Sequence, residues 1–179
     1  MDYTFMLCFD DATETYFSNI MSALANSNSN FDLGHDDLPP HISIACFQTE
    51  KLDTIINEVD KNISEIKSGG ISWASLGVFV PYVLFAAPVM NEYLLNACET
   101  INRLIEPFST VGDNGNYLPY KWVPHTTLSF QRNHDELNEA FAVVSQGFSA
   151  ISGKSTRLLL GEFSPYREVK KWDLMWGKE

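Results

Sequence analysis

Cationic side chains are scarce in this chain of 179 residues: 12 Lys and Arg stand against 23 Asp and Glu, a net charge of −11. Long nucleic acids are held chiefly by neutralising their phosphates, so a protein that wraps a duplex or a long RNA is excluded. The one basic concentration, Arg167, Lys170 and Lys171, is diluted by Glu168. A single phosphate can still enter a focused pocket, which points to small or short substrates. Cysteine is also sparse. Cys8, Cys46 and Cys98 form no CxxC pair, so neither a disulfide framework nor a zinc knuckle is indicated. Their apolar neighbours, as in Leu7-Cys8-Phe9 and Ala45-Cys46-Phe47, mark them as buried thiols.

No apolar run approaches the roughly 20 residues that span a bilayer. The first residues, Met1-Asp2-Tyr3-Thr4-Phe5, carry no basic flank and no small-residue cleavage site. A soluble cytoplasmic protein with no membrane partner is expected, acting as a monomer. No Gly-x-Ser-x-Gly elbow is present, which removes the usual Ser-His-Asp hydrolase. Nor are there paired carboxylates of the kind that hold magnesium, so no metal and no cofactor is expected.

What the chain does have is apolar and aromatic content. A hydrophobic fraction of 45% and an aromatic fraction of 13% belong to an ordered protein long enough for one full core or two intimately packed lobes. The patterning predicts strands over 3–9, 41–47, 71–80, 82–87, 122–130, 156–163 and 169–176. It predicts helices over about 11–25, 50–67, 90–105 and 135–148, the first capped by Asp11 or Thr13. Polar loops fill 26–40 and 108–121.

Within that order the four-residue pattern His, any residue, hydroxyl, aliphatic occurs twice. It reads His41-Ile42-Ser43-Ile44 and His125-Thr126-Thr127-Leu128, 84 positions apart, and proline precedes each histidine. Each instance follows a helix and a proline-ended loop, and precedes a helix and two strands. A single domain over 1–179 made of two pseudo-repeats, about 10–89 and 90–176, is therefore expected. In an extended strand residues i and i+2 share a face. His41 and Ser43 then point together, as do His125 and Thr127, while Ile42, Ile44 and Leu128 pack inward. Two such strands facing one another place two imidazoles and two hydroxyls in one cleft.

Imidazole is the side chain best placed to give or take a proton near neutral pH. One neutral and one protonated histidine supply a base and an acid for the same reaction. The hydroxyls of Ser43 and Thr127 can hold the non-bridging oxygens of a phosphate between them. Tyr117, Tyr120 and Trp122 precede the second motif and could stack on a flat group over the cleft. Lys121 and Arg167 could meet a second phosphate, while His35 and His134 read as surface residues and Trp73 and Trp176 as ordinary sheet residues.

The paired motifs resemble those of the two-histidine (2H) phosphoesterase superfamily, which includes bacterial RNA 2′,5′-ligases and 2′,3′-cyclic phosphodiesterases. Leu76-Gly77-Val78-Phe79 is similar to the family's glycine-containing strand, and Tyr166-Arg167-Glu168-Val169 through Leu174 to its closing strand, where Tyr166 is a further possible substrate contact. The resemblance implies a bilobal α+β fold in which two pseudo-symmetric lobes with antiparallel sheets frame a central cleft and helices lie outside. It implies a metal-independent phosphodiesterase acting on a 2′,3′-cyclic phosphate or a short nucleotide phosphodiester. His41 and His125 would be the catalytic pair, with His41 as acid to the leaving oxygen and His125 as base on water. Ser43 and Thr127 would bind the phosphate. Two other readings use the same cleft: an RNA 2′-5′ ligase or 2′-5′ phosphodiesterase, and a module that binds a phosphorylated ligand without turnover.

Overall fold

Tyr3 to Phe9 form a strand that is buried on both faces: Phe5, Leu7 and Phe9 enter the main core, while Met6 and Cys8 join a small cluster with Leu159 on the other side. This strand, β1 (Asp2–Phe9), opens an order that continues α1 (Asp11–Ser27), β2 (His41–Gln48), α2 (Leu52–Asn62), β3 (Gly69–Phe79), β4 (Val83–Pro88), α3 (Glu92–Ile105), β5 (Thr110–Val111), β6 (Thr126–Phe130), α4 (His134–Gly147), β7 (Ile151–Phe163) and β8 (Arg167–Asp173). The computed structural model describes residues 2–27, 38–163 and 165–176. Among the described residues no helix is long and apolar enough to cross a membrane.

The protein is an α+β fold built on antiparallel pairs in the order β5-β2-β1-β7-β3-β4-β6, with β8 also on β7. The two expected sheets are joined into one ladder. The cause is the length of β7: Ile151–Ser155 pairs with Gly69–Trp73 of β3, and the stretch beyond it pairs with β1 and β8. The polar run Ile151-Ser152-Gly153-Lys154-Ser155 does not read as a strand on its own, and β3 supplies the partner that extends it. Gly69 and Gly70 open β3; a Cβ on Gly69 would fall 2.3 Å from the ring of Tyr93.

The helices pair as α1 with α4 and α2 with α3. They back the motif strands crosswise: α3 lies on β2, and α1 lies on β6. The cap of α1 is Asp10 rather than Asp11 or Thr13, since the Thr13 N–H donates to the Asp10 carboxylate at 3.0 Å. Asn91 and Asn133 cap α3 and α4 in the same way. At the centre Trp73 packs edge-on against Phe9 and Phe17, with ring centroids 4.9 and 5.1 Å away.

Candidate active site

Both histidines are delivered by the same local device. Proline disfavours helix in the residue before it and has no N–H of its own, so Pro39-Pro40 and Val123-Pro124 run into the motifs without helix or ladder bonds. The carbonyl two residues upstream then meets the imidazole: Nδ1 of His41 is 2.9 Å from the Pro39 oxygen, and Nδ1 of His125 is 2.8 Å from the Val123 oxygen. A carbonyl only accepts, so each Nδ1 carries the hydrogen and each neutral ring keeps its lone pair on Nε2. Ile42, Ile44 and Leu128 are fully buried behind the site. The opposite face brings His41, Ser43, His125 and Thr127 to one cleft of about 1180 Å³.

The backbone of each motif is tied to a neighbouring element. The Asn102 amide on α3 donates to the Ile44 carbonyl at 3.1 Å and to the Tyr117 carbonyl at 3.2 Å, fastening β2 to the loop before β6. The indole N–H of Trp73 donates to the Thr126 hydroxyl at 3.1 Å, between His125 and Thr127. Trp73, read from sequence as an ordinary sheet residue, therefore also anchors the second motif.

His125 sits among aromatic rings. Phe79 meets it edge-on at 4.9 Å between centroids, Phe85 lies at 5.4 Å and Tyr117 at 6.3 Å. Phe85 reaches this position because it lies over Gly77 on the paired strand; a Cβ there would come within 2.4 Å of its ring. Gly77→Ala is expected to displace Phe85 and, through it, His125. A cost of about 1–3 kcal/mol in denaturant unfolding should accompany it, together with a fall in kcat. Unchanged kcat would show that His125 does not depend on that ring.

Burial works against the charged form of both imidazoles. It pushes His41 down to about 4, with the charge of His125 adding to the effect and the Pro39 carbonyl opposing it. His125 is lowered too, chiefly by burial, while the Val123 carbonyl and the negative charge of Asp113 act in the other direction. His41 is thus the member held more firmly neutral. Tyr117 is pushed up to about 12, mainly by burial and then by Asp113, with a hydrogen bond from Ser43 opposing. It remains a neutral phenol at working pH.

Of the aromatic residues expected over the cleft, Tyr117 and Trp122 line it. Tyr120 does not: it is 84% exposed and lines a separate groove that includes Glu99. Tyr166 packs on Phe163, with ring centroids 5.5 Å apart, beside the Met6, Cys8 and Leu159 cluster. Lys121 lines the cleft, whereas Arg167 is paired with Glu162 through its Nε at 2.9 Å. His134 is exposed at the start of α4, and His35 lies outside the described residues. Cys46 is not a core thiol; it is half-buried on the cleft wall. Asp113, Asn114 and Asn116, within the polar loop expected over 108–121, also line the cleft, as do Phe79, Val83 and Phe130. The available signal was Gly112-Asp113-Asn114-Gly115-Asn116, whose composition favours left-handed backbone. Asp113, Asn114 and Gly115 adopt it, at φ 42°, 52° and 77°. Among the described residues no three His, Cys, Asp or Glu side chains gather as a metal site would require.

The sequence model of the 2′-5′ RNA ligase superfamily matches residues 11–164. No curated protein matches the chain. Several solved structures share the fold at low identity. TT0787 of Thermus thermophilus superposes with a TM-score of 0.66 at 14% identity, covering 99% of this chain and 100% of that one. E. coli LigT complexed with 3′-AMP gives 0.61 at 12%, covering 96% and 97%. Usb1 of Kluyveromyces marxianus gives 0.51 at 12%, covering 93% and 96%.

Proposed function

The chain belongs to the 2′-5′ RNA ligase superfamily, that of the two-histidine phosphoesterases, and on that premise we propose that it is a metal-independent phosphodiesterase. Its substrate is a 2′,3′-cyclic phosphate or a short nucleotide phosphodiester. The observation that carries this reading is the matched pair of imidazoles, each held through Nδ1 by the carbonyl two residues upstream and each with a hydroxyl two residues downstream in the same cleft. The crosswise backing of β2 and β6 supports reading the whole chain as one domain of two pseudo-repeats. The complexes of E. coli LigT with 3′-AMP, ATP, NADP+ and phosphate support a phosphate-bearing ligand of the nucleotide class.

The chemistry follows from the two environments. Neutral His41 takes a proton from water through Nε2 as the water oxygen bonds to phosphorus. His125, the more readily protonated member, gives its Nε2 proton to the 3′ oxygen as the P–O3′ bond breaks. The product is a 2′-phosphate with a free 3′-hydroxyl. This allocation reverses the one the family resemblance implies. Ser43 and Thr127 donate hydrogen bonds to the non-bridging oxygens, where charge accumulates as water adds. The bound phosphate favours the protonated form of either imidazole and so completes the acid–base pair only when substrate is present.

The test is incubation with the four nucleoside 2′,3′-cyclic monophosphates in EDTA, with the products separated as 2′- and 3′-phosphates. The expected result is the 2′-phosphate alone. Tight binding of a nucleoside monophosphate with no turnover of any of the four would replace this reading by a binding module.

A further inference from the structure

We infer that the cleft admits a nucleotide carrying a single phosphate, and that Asp113 is the residue that turns away a second one. The inference rests on the phosphodiesterase reading above. Among the described residues, the charged side chains that line the cleft, apart from the histidines, are Asp2, Asp113 and Lys121. No guanidinium joins them: all four arginines of the chain are paired with carboxylates, as Arg103–Glu65, Arg132–Glu136, Arg157–Glu14 and Arg167–Glu162, and none lines the cleft. Residues 28–37, which precede the first motif, contain no Lys or Arg either. A second phosphate would therefore find no bidentate partner of the kind that usually recognises it.

Two groups of lining residues differ in chemistry, and the single lysine among the described lining residues, Lys121, stands against two carboxylates, Asp2 and Asp113. One group is apolar, formed by Phe79, Val83 and Phe130. The other is polar and acidic, formed by Asp113, Asn114 and Asn116. The Asn116 amide donates to the Asp113 carboxylate at 3.3 Å. This loop is clamped to β2: the Gly112 N–H donates to the Cys46 carbonyl at 3.0 Å, and a Cβ on Gly112 would sit 3.0 Å from that same backbone. Asp113 and Asn114 hold the left-handed backbone that Asp and Asn tolerate. Carboxylate and amide groups there match the hydroxyls and exocyclic amines of a neutral nucleoside. The substrate class is thus a nucleoside 2′,3′-cyclic monophosphate with a free 5′-hydroxyl. 5′-phosphorylated nucleotides, pyrophosphate-linked dinucleotides and oligonucleotides are disfavoured.

The experiment compares kcat/KM for cytidine 2′,3′-cyclic phosphate and its 5′-phosphorylated counterpart in the wild type and in Asp113→Asn, a change that keeps a residue tolerant of left-handed backbone. The ratio of the two substrates cancels any common effect of Asp113 on His125. The wild type should prefer the 5′-hydroxyl substrate by at least about tenfold, and Asp113→Asn should shrink that preference several-fold. Equal use of both substrates, or a ratio that Asp113→Asn leaves unchanged, overturns the inference. If the wild type turns over neither, the phosphodiesterase reading has failed, and calorimetry with cytidine 2′-monophosphate and 2′,5′-bisphosphate decides: tighter binding of the monophosphate supports the inference, and equal or tighter binding of the bisphosphate overturns it.

Discussion

Turnover of a nucleoside cyclic phosphate should fall by on the order of 10²–10⁴-fold in His125→Ala, and by a similar factor in His41→Ala, the range that a positioned proton donor or acceptor supplies. The two losses should not add in the double variant, because acid and base serve one displacement and removing either leaves the other without a partner step. The fold should survive both changes. Each imidazole borders solvent in the cleft, and its hydrogen bond among the described residues goes to a carbonyl that water can satisfy instead. Far-UV circular dichroism and thermal unfolding check that point. Retained activity in a folded His125→Ala protein would remove the second motif from the mechanism.

The second large effect belongs to the hydroxyls. Ser43→Ala and Thr127→Val should each lower kcat by about 10²–10³-fold, the usual consequence of removing one preorganised donor from a developing oxyanion. Thr127→Val keeps the β-branched shape that suits β6, so packing changes little and the missing O–H is the variable. Ser43 is nearly buried, with 9% of its surface exposed, and the Tyr117 ring lines the cleft beside it. Its hydroxyl is therefore confined to a narrow set of directions. If the hydroxyls hold charge that grows in the transition state, the loss falls on kcat and KM moves little. A rise in KM with kcat preserved would make them ground-state binding groups.

The placement of the motif side chains was legible because period-two alternation reports on faces directly: Ile42 and Ile44 go to the core and His41 and Ser43 to the cleft, as the pattern requires. The helices were legible for the same reason, through their apolar stripes. Boundaries that depend on distant partners were not. β6 begins at Thr126 rather than Trp122, because Val123-Pro124 offers no continuous ladder donors, and His125 stands just outside the strand. β5 pairs only Thr110 and Val111 with β2, too short a contact for any local pattern to reveal. Tyr120 read like Trp122 in sequence, yet its left-handed backbone, at φ 66°, turns the chain and leaves the side chain outside the cleft. Asp113 was hidden by the opposite circumstance, a polar loop tip that the Gly112 bond to Cys46 carries back over the site.

The most direct measurement of two-histidine catalysis is the pH dependence of kcat/KM from about pH 3.5 to 8 in EDTA, since it reports the free enzyme's essential groups. His41 must be neutral to act as base, so activity should rise as pH climbs through about 4. His125 must be protonated to act as acid and is itself lowered from its ordinary value near 6.5, so activity should fall as pH rises, and that fall should begin before pH 6.5 is reached. The expected result is a bell with its maximum on the acid side of that value. A profile that is flat, or that climbs steadily toward alkaline pH, would contradict acid–base catalysis by this pair.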